Sequence, residues 1–367
     1  FMEELVQFCD VTLILSQNVG ELLDDVPKGV RVIIDEMTPF REMFVKDIKG
    51  FRIGYVIQDL IYYLRVKTGH DNIDNYRYIV RRHPHIVKDV FDCAISYHGQ
   101  SPERLLNLIY RIHSRKKAVW IHGEMSFPED QCRRMEKYYR KMDQYFFVSK
   151  PTKDAFIQKI NIDPQKTTVY YNRLNGQEIL EKSQEAMEDD FSEETVNLLT
   201  VGRVSAEKGQ DMIPKIVREL NEKGYAVHWY VIGDGPGLGR LKGLIQKENV
   251  SDRVVLLGVK NNPYPYMKAC DIYVQPSYTE GYSTTICEAG ILGKAIIGTK
   301  PSGGIRDQIE NGESGLIVDA SVEGLEQGII RLLEDSLLRQ KFEQNILKKD
   351  FEGKGEIRKF INYIEDK

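Results

Sequence analysis

Two glutamates eight residues apart, Glu280 and Glu288 in TEGYSTTICEAG (279–290), are the side chains best placed to do chemistry. They follow the apolar run DIYVQPS and lead into a helical pattern. Glu280 therefore falls on the loop after a strand and Glu288 about two turns into the helix, both turned toward one ligand lying across the helix start. Gly281 and Tyr282 bring backbone close to that ligand, and Ser283, Thr284 and Thr285 fill the first turn. The N–H groups of a first turn and the positive end of the helix dipole suit a phosphate. A carboxylate deeper in the helix suits the paired hydroxyls of a ribose, so the chemistry implied is that of a nucleotide-sugar site. Two glutamates at this spacing are common by chance; the strand, loop and helix setting gives the pair its weight.

Six strand-like runs position these residues: VNLLTV (196–201), VHWYVI (227–232), RVVLLG (253–258), DIYVQ (271–275), AIIG (295–298) and GLIV (315–318). Amphipathic stretches separate them, the pattern of a doubly wound parallel sheet, which binds ligands at the carboxyl ends of its strands. After VNLLTV, Arg203 and Lys208 stand on a loop bracketed by Gly202 and Gly209. A guanidinium and an ammonium this close neutralise a diphosphate; read alone, they are two solvated surface charges. In GDGPGLGRL, Gly233 and Gly235 read as loop-shaping, and Ser302, Gly303 and Gly304 offer further backbone near the ligand.

The first half alternates less regularly, with strand-like runs VTLIL (11–15), VRVII (30–34), DCAISY (92–97), AVWIH (118–122), QYFFV (144–148) and TVYY (168–171). Residues 53–90 read as two helices broken near Pro84, whose flanking His83 and His85 more readily decorate a helix break than bind metal. Two α/β domains are expected, 1–175 and 190–351. The acidic stretch 176–195 links them, and the closing helix in 352–367 crosses back to the first. A net charge of −4 gives no reason to expect nucleic acid. Five scattered cysteines without CxxC spacing indicate neither disulfides nor zinc and fit a reducing cytoplasm. No run has the ~20 apolar residues of a membrane span, and no signal peptide is evident.

The series GRVSAEKG, GDGPG, TEGYSTTICEAGILGKAII and GGIRDQIENGESGLIV resembles the carboxy-terminal half of family-four retaining glycosyltransferases of the GT-B fold. WIHGEMS (120–126), FVSK (147–150) and YYNRLN (170–175) resemble first-domain segments, and FDCAISYHGQSP and KKAVWIH look most like bacterial capsule and polysaccharide enzymes. The resemblance implies two Rossmann-like domains facing a cleft and transfer from a UDP-sugar to a sugar or lipid-linked acceptor. The donor is a substrate, and no cofactor is implied. His122 would reach the donor sugar, Arg203 and Lys208 would hold the diphosphate, Glu280 would touch the sugar and Glu288 the ribose. Backbone from Gly281 to Ser283 would assist at the phosphate. With no Asp-x-Asp motif, the two cations would replace a metal. Departures are Arg306 and Asp307 where many relatives carry a glutamate, and the lack of an opening strand with its Gly-Gly loop before Phe1. If that strand is missing, a slot is expected beside VTLIL; if the sheet has closed up, VTLIL pairs with DCAISY. An epimerase, a phosphorylase and a non-catalytic partner subunit share such a fold.

Membrane contact is expected from charge. Between Arg104 and Lys150 there are eleven basic and five acidic side chains, and leucines and isoleucines interleave RLLNLIYRIHSRKK, which offers itself to an anionic bilayer or, more plainly, packs its apolar face into a core. The expected location is cytoplasmic, at most peripheral to a membrane.

Overall fold

The computed structural model describes residues 1–17, 23, 25–67, 73–83, 85–123, 125, 127–300, 303–353 and 355–366, omitting the side chains of 65, 66 and 74. Ser302, Pro84, Glu124 and Ser126, named above, lie outside the described residues. The chain divides into two units: Phe1–Val148, Lys153–Tyr170 and Gly355–Lys367 form the first, and Ser149–Thr152 with Tyr171–Lys354 the second.

All twelve strand-like runs form strands. In the first unit these are β1 (Thr12–Leu15), β2 (Arg31–Ile34), β3 (Val90–Ser96), β4 (His113–Ile121), β5 (Gln144–Phe147) and β6 (Thr167–Val169). β1 and β2 make a parallel two-stranded sheet, and β3-β4-β5-β6 a separate parallel sheet. Among the described residues β1 pairs with β2 alone, so the closed-up arrangement with VTLIL bonded to DCAISY is not formed. Val119, Ile121, Tyr145 and Phe147 face one apolar core. Trp120 and Phe146, on alternate positions, face the other side, where the helix Glu356–Glu365 inserts Phe360 with ring centroids 6.5 and 5.4 Å away. Lys116 Nζ fastens that helix by donating to the Tyr363 carbonyl at 2.6 Å.

The basic run RLLNLIYRIHSRKK is divided between two elements. Ser101 caps the helix Pro102–Arg111, its hydroxyl accepting the Arg104 N–H, and β4 begins at His113. Leu105, Leu106 and Leu108 are buried, and the equally buried Arg111 donates to both Asp35 oxygens at 2.6 and 2.7 Å. This apolar face is core, the plainer of the two readings of the run, so these leucines do not meet a bilayer. In residues 53–90 the helices are Ile53–Lys67 and Ile73–Arg82, so the second ends just before Pro84. His83 meets carbonyl oxygens with both ring nitrogens, those of Ile79 at 2.9 Å and Thr38 at 3.3 Å.

The second unit holds β7 (Val196–Val201), β8 (Val227–Ile232), β9 (Val254–Gly258), β10 (Ile272–Gln275), β11 (Ala295–Lys300) and β12 (Leu316–Asp319), all parallel in the order β12-β11-β10-β7-β8-β9. Alternate residues enter opposite cores: Trp229 and Val231 on one face, Tyr230 and Ile232 on the other. Burial on both faces explains why these strands read as nearly continuous apolar runs. The acidic stretch 176–195 belongs to this unit and opens with the helix Gly176–Lys182, capped by Asn175.

Candidate functional site

The strand order reverses between β7 and β10, and at such a switch point the loops leaving the two strands diverge and open a crevice. Those loops carry Gly202–Gly209 and Pro276–Ser283. They are drawn together at Gly209, whose φ of +68° and whose hydrogen, where a Cβ would stand 2.1 Å from the Pro276 carbonyl oxygen, admit no side chain. Lys208 Nζ consequently reaches Glu280 Oε1 at 2.6 Å. The same oxygen accepts from Gln275 Nε2 at 3.0 Å and Ser277 Oγ at 2.9 Å. Gln275 is held in turn by Tyr273 and Thr285 hydroxyls donating to its Oε1 at 2.8 and 3.1 Å. Three donors on one oxygen hold the Glu280 carboxylate in a fixed orientation.

Ser283 caps the helix Thr284–Ile291, accepting the Ile286 N–H. Glu288 is the fifth residue of this helix, nearer its start than two turns. Burial pushes its carboxyl up to about 7, opposed by a hydrogen bond from Tyr264. Gln308 grips the loop from the next element: its Oε1 accepts the Ser283 N–H at 3.2 Å and its Nε2 donates to the Ser283 carbonyl at 2.6 Å. The amide of Ser283, one of those expected to assist at the phosphate, is thus already committed to Gln308. Ser149 Oγ donates to the Gly281 carbonyl at 2.8 Å, and Gly304 lies so close that a Cβ there would stand 2.2 Å from the same oxygen. Gly233 and Gly235 abut the backbone of Gly202 and Val204 and shape the neighbouring loop.

Arg203 does not join the Lys208–Glu280 group. It is exposed and pairs with Glu207 at 2.7 Å, one helical turn along its own loop. Asp307 accepts from the Lys150 N–H at 2.8 Å and the Tyr171 hydroxyl at 3.3 Å, so it anchors backbone. Sequence reasoning missed Gln275, Ser277 and Gln308; the only signal was a polar residue closing an apolar strand in DIYVQPS. In the first unit His122 follows β4. Its N–H donates to Gln100 Oε1 at 3.3 Å, and its Nε2 is buried with no hydrogen-bond partner among the described residues. Burial first and the neighbouring His98 second lower its pKa to about 4, so it is a neutral imidazole at physiological pH.

Residues 181–349 match the family described as glycosyl transferases group 1. That stretch lies within the second unit, which is what resembles the family. Across its length the chain is similar to Anabaena HepE, solved in complex with UDP, at 16% identity, a TM-score of 0.70, and coverage of 100% of this chain and 95% of that one. It is also similar to sucrose-phosphate synthase from Thermosynechococcus elongatus, at 14% identity and a TM-score of 0.69, covering 100% and 90%. These likenesses give the fold, that of the GT-B glycosyltransferases with two Rossmann-like α/β units. Among curated proteins the chain is 30% identical, over 207 residues, to the Campylobacter jejuni N-acetylgalactosamine-N,N'-diacetylbacillosaminyl-diphospho-undecaprenol 4-alpha-N-acetylgalactosaminyltransferase. That alignment covers 56% of this chain and 54% of the relative, so the chain spans about half the relative's length. An uncharacterized glycosyltransferase of Methanocaldococcus jannaschii is 23% identical over 92% of this chain and 94% of its own.

Proposed function

We propose that this protein transfers a sugar from a UDP-sugar to an acceptor hydroxyl, with retention at the anomeric carbon. The observation that supports this most is the fixed Lys208–Glu280 pair beside the capped helix of a group 1 glycosyltransferase domain, with a buried carboxylate, Glu288, further along that helix. Glu288 accepts hydrogen bonds from the ribose hydroxyls. Lys208 faces the diphosphate, joined by Arg203 once it leaves Glu207, and their charge takes the place of a metal ion as the phosphate departs. Glu280 orients the sugar. His122, neutral with an open Nε2, hydrogen-bonds a sugar hydroxyl. The bond between the anomeric carbon and the diphosphate oxygen breaks, the acceptor oxygen bonds to that carbon on the same face, and the acceptor proton passes to the departing phosphate. A glycan or a lipid-linked sugar is the acceptor class, on the precedent of the Campylobacter relative's name, and polysaccharide or glycolipid synthesis in a bacterial cytoplasm is the setting.

Calorimetry with UDP, GDP and ADP tests the donor assignment, and transfer from UDP-sugars with and without chelator tests the chemistry. UDP binding that Glu288→Ala weakens, with turnover indifferent to chelator, is the expected result. Preference for another nucleotide, or a strict need for manganese, overturns the corresponding part.

A further inference from the structure

We propose that the helical hairpin of Phe40–Lys49 and Ile53–Lys67 is a docking surface that inserts into an anionic lipid bilayer. The longer helix is inverted relative to one that faces water. Ile53, Ile57, Leu60 and Ile61 recur at helical spacing along one stripe, and all four are exposed, Ile53 to 70%. The helix's one carboxylate, Asp59, is turned inward and fully buried. Arg82 and the Tyr78 hydroxyl donate to it at 2.5 and 2.7 Å, and Arg82 also pairs with the buried Asp47 of the shorter helix. Asp47 and Asp59, which would repel an anionic surface, are thereby buried against Arg82, with Arg52 3.7 Å from Asp47 as the second cation.

The tip carries a second, independent signal. Phe51 connects the helices in a left-handed conformation, φ +52°, which a bulky residue rarely adopts, and its side chain is 88% exposed. Val45 and Ile48 extend the apolar surface along the shorter helix. Arg41, Lys46, Lys49 and Lys67 are exposed on the same two helices, with Arg52 between them beside Asp47, and Glu42 is the one exposed acidic residue among the described side chains of the hairpin. An apolar stripe and aromatic tip among exposed cations fit the boundary between headgroups and acyl chains. A second copy of the chain fits poorly, because it would bring five like charges against five.

The test uses the full chain with phosphatidylcholine vesicles, with and without phosphatidylglycerol. Binding is expected only to the anionic vesicles, weakened by salt. Phe51→Ser and Ile57→Ser, at exposed positions, should each weaken it about tenfold while leaving thermal stability unchanged. Lys46→Glu with Lys49→Glu, both exposed, should abolish it. Trp120 and Trp229 are buried, so Phe51→Trp adds an exposed reporter whose emission should shift to the blue on binding and be quenched by brominated lipid. Absence of binding by the wild type, equal binding by the Ser variants, or emission from the Phe51→Trp variant that brominated lipid leaves unquenched would overturn the proposal. A fall in sedimentation-equilibrium mass caused by Phe51→Ser, without change in vesicle binding, would reassign the surface to self-association. No donor sugar enters these measurements, so their outcome is separate from that of the transfer reaction.

Discussion

Glu288 has a carboxyl that burial raises from the ordinary 4.5 to about 7, and ribose hydroxyls donate best to its ionised form. UDP affinity should therefore rise as pH goes from 6 to 8, and Glu288→Gln should flatten that slope; calorimetry across the range decides it. Without ligand the sign reverses. The folded protein holds this proton more tightly than the unfolded chain, so the stability Glu288 contributes is complete below pH 4.5 and is lost as pH rises through 7. The loss is at most about 3 kcal/mol at 1.36 kcal/mol per pKa unit. Melting curves of wild type and Glu288→Gln should diverge over that window. The two cations divide differently. Lys208→Ala leaves the largely buried Glu280 without its charge partner and should cost about 3 kcal/mol of stability besides most of the activity. Arg203→Ala removes an exposed pair with Glu207, worth under about 1 kcal/mol, so it should lower kcat with little change in melting temperature. Equal destabilisation by both would contradict this geometry.

At the scale of elements, the loop that leads into the helix Thr284–Ile291 is shaped by what leans on it. Gln308, itself buried, satisfies both backbone groups of Ser283. Gln308→Ala should cost about 3 kcal/mol, since each orphaned buried polar group costs about 1–3 kcal/mol, and should raise KM for the donor. An unchanged KM would show that the loop holds its shape without the clamp. None of this was legible in the motif, because Gln308 and Ser283 meet through the pairing of sheet elements that sequence spacing does not encode.

Over the whole molecule, the chain leaves the second unit after residue 354 and contributes the helix Glu356–Glu365 to the first. Phe360 is buried against Trp120 and Phe146, so Phe360→Ala should destabilise the first unit by about 3–5 kcal/mol. A differential scan in which only one of two transitions moves would locate the effect; a uniform shift would contradict it.

The sequence by itself determined the strands and the motif residues. Twelve short apolar runs could only be buried as strands, and a Glu after a strand with a Ser-Thr-Thr turn behind it could only open a helix. What tertiary structure decided was which surface each amphipathic helix hides. Leu105, Leu106 and Leu108 could have met a membrane or a core and are core, while Ile53, Ile57 and Leu60, at the same helical spacing, face outward. Periodicity defines a face but not its direction. The direction was set by Arg82, which lies 23 residues beyond Asp59 and drew that carboxylate inward, because a buried charge requires a partner that only the folded chain brings near.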